Sequence, residues 1–405
     1  MRMRTAMNLR LALLLPAVLA TAVPAEDWPQ WRGPDRNGIS KETNWQHEWP
    51  ADGPPVLWKT DVGTGFASFS VAQGRVYTTG FADEKDTVFC FDAATGKEIW
   101  KHSYPSELGD KYYEGGTSAT PTVTAGKVYQ LSRWGDAMCL DAATGKVVWS
   151  KNLARENDMP IPDWGFAGSP LVQGDLVLLS IGEHGMAVAR TDGKVKWKSA
   201  VKSAGYSTPY PVPGKASEVL FASDKAYFGV DSASGRKLWE YPWKTQYGVN
   251  AADPVFSDGQ VFISSGYKKG ATLIKLGDGS PAKVWENKVM RSQFNSCVLV
   301  DGHLYGPDGN DGDKGALKCL DLKTGSVKWE HKGFGVGGVT VADGKLIALS
   351  AQGELMVAPV SPGKFAPVSR AQVLGGRCWT TPVLANGRIY CRNATGNVVC
   401  LDVKR

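Results

Sequence analysis

The chain has 405 residues, 42% hydrophobic, 21% charged and 10% aromatic, with a formal net charge of +6. Such a composition builds a sizeable core and excludes a disordered chain, while acids and bases interspersed along its length give nucleic acid little to hold. Length alone does not fix the domain count, because all-β folds often run long as single units.

Met1 to Ala25 contains no acid, carries Arg2, Arg4 and Arg10, and is almost wholly apolar from Leu11 to Ala20 before Ala22-Val23-Pro24-Ala25. This is the pattern of a secretory signal peptide cleaved before Glu26. Its apolar run falls well short of the roughly 18 residues that span a bilayer. Without those three arginines the charge falls to +3. No cysteine near the cleavage point would take a lipid, and no other stretch reads as a membrane span. The expected product is exported and soluble, periplasmic or extracellular.

Residues 26–53 hold Asp27-Trp28-Pro-Gln-Trp31-Arg32-Gly-Pro34, with Gly38 following, and read as an ordered cap lying on the domain that follows. From residue 54 onward the chain is repetitive. Cys90-Phe-Asp92-Ala-Ala-Thr95-Gly96-Lys97-Glu-Ile-Trp100 returns as Cys139-Leu-Asp141-Ala-Ala-Thr144-Gly145-Lys146-Val-Val-Trp149 and as Cys319-Leu-Asp321-Leu-Lys-Thr324-Gly325-Ser-Val-Lys-Trp329. Looser copies end at Trp197, Trp239 and Trp285. From Trp58 to Trp329 the tryptophans stand 42, 49, 48, 42, 46 and 44 residues apart, a period that suits four-stranded propeller blades. The segments before them are short, alternating and rich in Val, Tyr, Phe and Ile, without helical periodicity.

One unit reads as strands Ser118 to Thr124, Lys127 to Ser132, Ala137 to Asp141 and Lys146 to Lys151, with turns at Ala125-Gly126 and Thr144-Gly145. Inner strands begin near Phe66, Ser118, Gly168, Ser207, Ala251, Asn295, Gly338 and Thr380, which predicts an all-β, eight-bladed propeller over residues 54–405. The last unit ends at Cys400-Leu-Asp402 without its tryptophan strand, and Pro55 to Asp61, carrying Trp58, supplies one, so the two termini close the ring. Gly338 to about Val373 is degenerate and lacks the tryptophan, which keeps a seven-bladed count as the alternative.

In each unit the first and third turns are short, whereas the loops after each tryptophan and between the middle strands vary. Those two variable sets share one face, where function is expected. They bring Phe66, Tyr112, Tyr113, Glu114, Trp164, Phe166, Tyr206, Tyr247, Asn250, Arg291, Gln293, Phe294, Phe334, Arg377 and Trp379 to the channel mouth. Arg133, Trp134, Glu183, His184 and Arg392 join them from the middle loops. Such a ring suits a flat aromatic polyanion held by stacking and arginine pairing, or an extended peptide or glycan. The competing reading is structural, with these residues plugging the channel and satisfying loop backbones.

Other motifs give less. The seven cysteines, at 90, 139, 297, 319, 378, 391 and 400, form no CxxC and read as buried apolar residues; Cys378 and Cys391 are the pair to test for a bridge. Asp308-Gly-Asn310-Asp311-Gly-Asp313 places glycine where a calcium loop needs a fifth-position oxygen, and reads as a solvated hairpin. The histidines at 47, 102, 184, 303 and 331 show no metal-ligand spacing, and neither GxSxG nor HExxH occurs. No residue is assigned a catalytic or metal-binding role.

The repeated Asp-x-x-Thr-Gly-Lys-x-x-Trp resembles the tryptophan-docking repeat of pyrroloquinoline-quinone-like (PQQ-like) propellers, and the cap motif resembles the start of many exported members. The resemblance implies one of two functions. BamB-like members are non-enzymatic periplasmic scaffolds for outer-membrane β-barrel assembly, whereas quinoprotein dehydrogenases oxidise alcohols or sugars with bound PQQ and calcium. The enzyme branch implies an adjacent-cysteine ring, absent here, and a calcium set that does not map onto this chain. Asp253, near Asn250, and Glu114 are the only acids at inner-strand starts. The BamB branch implies a lipid-accepting cysteine, also absent. The leading expectation is a non-enzymatic scaffold engaging a protein partner or ligand. One alternative is a small quinoprotein with PQQ against Trp164 or Trp379; another is a module binding carbohydrate or a cell-surface polymer.

Overall fold

The computed structural model describes residues 26–50, 52–310 and 314–405; the expected signal segment lies outside them. Among these residues there are eight antiparallel blades of four strands each, and the count is therefore eight rather than seven. The second blade is typical, with strands Thr122–Thr124, Lys127–Leu131, Asp136–Asp141 and Val147–Asn152. Its inner strand starts later than the alternation suggests. Residues 118–120 lie at the channel, where neighbouring blades bond through side chains instead of a ladder, and Pro121 has no amide hydrogen to give.

The repeat motif explains the seam between blades. Asp141 Oδ1 accepts bonds from Thr144 N–H (3.1 Å) and Thr144 Oγ1–H (2.9 Å), which fixes the turn. Gly145 then sits at φ 71°, a conformation that costs glycine little, and the Trp100 indole of the preceding blade lies over it. A Cβ there would come within 2.6 Å of the ring. The indole N–H of Trp100 donates to Ala142 O at 3.0 Å, so the ring is anchored as well as packed. The same docking joins Trp58 to Ala93, Trp149 to Arg190, Trp197 to Ser232, Trp285 to Leu322 and Trp329 to Ser361. Trp239 departs from it and donates to Glu218 of its own blade.

The ring closes as the repeat count requires. Val56–Asp61 completes the sheet formed by Val383–Ala385, Arg388–Arg392 and Asn397–Asp402, with Trp58 opposite Cys400. The degenerate seventh blade is nonetheless complete, its outer strand being Ser369–Gln372. Phe365 of that blade lies 5.5 Å from Trp329 and covers it. All seven cysteines are buried and free, and Cys378 and Cys391 share one core cluster.

The cap runs across the face opposite the variable loops. Trp28 pairs with Val71 of the first blade, and Pro29 O accepts from Val123 N–H of the second. Arg32 donates to Cys297 O of the sixth, Ile39–Ser40 adds a parallel strand to the seventh, and Glu42 accepts from Gly387 N–H of the eighth.

Candidate functional site

Where the inner strands begin, one polar position recurs around the channel. Ser68 N–H donates to Thr120 Oγ1, Thr120 N–H to Ser169 Oγ, Ser169 N–H to Thr208 Oγ1, Thr208 N–H to Asp253 Oδ1, and Asp253 N–H to Ser296 Oγ, at 2.7–3.1 Å. This belt binds six blades together. Asp253 is its single ionisable member, and its second oxygen accepts the indole N–H of Trp31 from the cap. Trp31 and Asp253 together floor the channel, which becomes a blind funnel of about 560 Å³ opening on the loop face.

Aromatic rings form the wall, and every blade but the seventh contributes. Trp379 stands 4.8 Å from Phe294 and 5.6 Å from Phe66, which lies 5.4 Å from Tyr113. Across the mouth, Trp164 meets Tyr112 at 6.1 Å and Tyr206 at 5.9 Å, while Tyr247 and Tyr267 form an edge contact at 5.0 Å. Gln293 also lines the funnel, as do Asn295 and the exposed Asp163.

The structure thus brings together Phe66, Tyr112, Tyr113, Trp164, Tyr206, Tyr247, Asp253, Gln293 and Trp379. It places the other candidates behind or beside the wall. Arg133 is buried and donates to the Tyr113 hydroxyl at 2.6 Å, with Trp134 over its guanidinium at 5.1 Å. Arg377 donates to Glu114 at 2.8 Å and lies 4.2 Å from the Trp379 ring. Arg291 is paired with Asp308, which Lys318 also reaches. Asn250 spends its amide on Ser223 O and Trp243 O, and Phe166 and Phe334 are core residues. Arg392 is fully buried and bonded to backbone. Among the described residues, no lysine or arginine lines the funnel.

The Glu183–His184 pair also lies apart, with Glu183 held by Lys202 at 2.6 Å. Asp308 is buried in its ion pairs and Asn310 accepts from Tyr267 N–H; Asp311 and Asp313 fall outside the described residues. Among the described residues no three His, Cys, Asp or Glu side chains cluster as a metal set.

Trp31 is the wall residue that the chain's pattern hides. It belongs to no repeat, and only the path of the cap brings it beneath the fifth blade. Tyr267 is likewise hidden, standing in a hairpin between middle strands.

Burial pushes the Asp253 carboxyl above its usual range, against the lowering pull of Arg32, the Trp31 indole and the Thr208 amide. A carboxyl whose folded pKa lies above the unfolded one adds relative stability at low pH, and that gain is lost as pH rises through the folded value. The stability of the native chain relative to Asp253→Asn is therefore expected to grow as pH falls from about 7 towards 4, read from urea midpoints. A flat difference would mean that ionised Asp253 is fully compensated.

The matching sequence family is the one described as "Outer membrane protein assembly factor BamB", which covers residues 41–117 and 110–331. The chain belongs to this family. It is 25% identical over 377 residues to the outer membrane protein assembly factor BamB of Yersinia pestis, spanning 85% of this chain and 88% of that one. It is also 26% identical over 357 residues to a tetrathionate hydrolase of Acidithiobacillus ferrooxidans, spanning 80% of this chain and 61% of that one. A europium-containing methanol dehydrogenase superposes with a TM-score of 0.70 at 13% identity, over 93% of this chain and 98% of the other, a likeness of fold. The fold is thus that of a PQQ-like, BamB-like propeller, shared by an assembly factor and by enzymes. No helix of the described residues is long and apolar enough to cross a membrane.

Proposed function

We propose that this member of the BamB family is an exported, non-enzymatic binding propeller that engages a protein partner or ligand through its variable-loop face. The observation that carries the reading is the blind funnel, whose wall is aromatic and whose guanidinium neighbours are already committed to protein acceptors. Binding by such a surface needs no general base, and Asp253, the acid at its floor, already accepts two hydrogen bonds.

The residues do not fit the quinone cofactor of the dehydrogenase branch. PQQ carries three carboxylates, which call for paired cations, whereas among the described residues no lysine or arginine lines the funnel wall. The donor set for a calcium ion beside the quinone is equally poor, because Asp253 is capped by Trp31 and Glu114 is held by Arg377.

Titrating the purified mature chain with PQQ and calcium, following tryptophan fluorescence and dye-linked oxidation of alcohols and sugars, tests the proposal. The expected result is no saturable quenching at high micromolar PQQ and no dye reduction. Saturable quenching with dye reduction would make the funnel an active site and overturn the reading.

A further inference from the structure

Resting on the reading of the funnel as a binding site, we infer that its ligand is a neutral saccharide, seated ring by ring on Trp379 and Trp164. Three features of the cavity converge on that chemistry. Its volume of about 560 Å³ lies within the range of built small-ligand pockets. Its walls offer the flat, half-buried indoles of Trp164 and Trp379 rather than a deep oily slot, and the N–H groups of these two meet no acceptor among the described residues. A pyranose presents an apolar C–H face, which packs on an aromatic ring, and a rim of hydroxyls, which takes hydrogen bonds from indole and phenol donors.

The third feature is charge. Asp163 at the mouth repels anions, and among the described residues no lysine or arginine lines the wall to offset it. Asp163 is exposed and can accept from sugar hydroxyls. The same carboxylate weighs against acidic polymers such as uronic acid chains.

The stacked ring pairs differ in rigidity. Trp379 is held by Phe66, Phe294 and Arg377 and still lines the funnel, so the orientation of its ring is fixed before binding. Tyr112, two-thirds exposed beside Trp164, supplies an outer edge and can be removed without disturbing the core.

Isothermal titration of the mature chain with maltotriose, cellotriose and triacetylchitotriose, with trigalacturonate as the anionic control, tests the inference. At least one neutral trimer is expected to bind saturably and trigalacturonate at least about tenfold more weakly. Trp379→Ala is expected to weaken binding at least about tenfold, and Tyr112→Ala by a smaller factor with the melting temperature unchanged. The inference is overturned if no neutral trimer binds at millimolar concentration, if trigalacturonate binds best, or if both variants bind like the parent. Absence of sugar binding together with absence of PQQ binding would remove the saccharide and leave the scaffold reading standing; PQQ turnover would remove both.

Discussion

Replacing Trp100 by alanine is expected to cost about 3–5 kcal/mol of folding stability, the scale for deleting a large buried aromatic. Its ring closes the seam between the first and second blades, 8% exposed, with Tyr77 5.9 Å away and Gly145 beneath it. Removing the ring leaves a cavity that two rigid sheets cannot collapse to fill, and the Ala142 carbonyl loses its indole donor while keeping that of Arg75. The complementary change, Gly145→Ala, attacks the same seam from the other side. Its Cβ meets the indole, and its φ is one that alanine adopts only under strain, so a loss of more than about 1 kcal/mol is expected. Urea unfolding followed by far-ultraviolet circular dichroism reads both. If Trp100→Ala loses less than about 1 kcal/mol, the seam is held by something other than the docked ring.

Arg392→Ala is expected to destabilise on a similar scale, about 3–5 kcal/mol, while leaving ligand binding by the folded protein unchanged. The guanidinium is fully buried and donates to Thr79 O at 2.6 Å, Gly63 O at 3.0 Å, Ala67 O at 3.2 Å and the Thr78 hydroxyl at 3.3 Å. All four belong to the first blade or the segment leading into it, so Arg392 ties the last blade to the first across the closure. Deleting it leaves carbonyls in a dry seam with no donor, each worth about 1–3 kcal/mol. Burial pulls its own pKa down to about 10, which still leaves it charged at neutral pH. Arg392→Lys is expected to recover part of the loss, since an ammonium carries the charge but cannot reproduce the planar fork. Unfolding midpoints and saccharide titration, measured on the same samples, separate the roles. Unchanged stability with altered binding would return Arg392 to the ligand.

Much of this architecture was legible in the chain. The Asp-Thr-Gly-Trp repeat is local chemistry, namely a capped turn, a left-handed glycine and a ring that must be covered, so its recurrence counts blades directly. The missing tryptophan after Asp402 and the surplus one at Trp58 likewise announce closure. The candidate face was legible too, because most of the rings that enter the funnel stand in the variable segments before the inner strands.

What the repeat could not reveal is which members of that ring point inward. Phe66 and Phe166 stand in comparable places, yet one lines the funnel and the other fills a core, a difference set by how each loop folds over its blade. The arginines were equally ambiguous. Charge and position made them candidates for an anionic ligand, and only their tertiary partners, Tyr113, Glu114, Asp308 and the Gly63 to Thr79 backbone, reveal that they are spent.

The repeat predicted eight blades with seven as the alternative, together with their seams and the strand that closes them, because each rests on interactions within a repeat or between neighbouring repeats. That the channel has a floor follows instead from a long-range contact. Trp31 meets Asp253 across 222 positions of chain, and nothing in a periodic pattern specifies where a non-repeating segment will cross it.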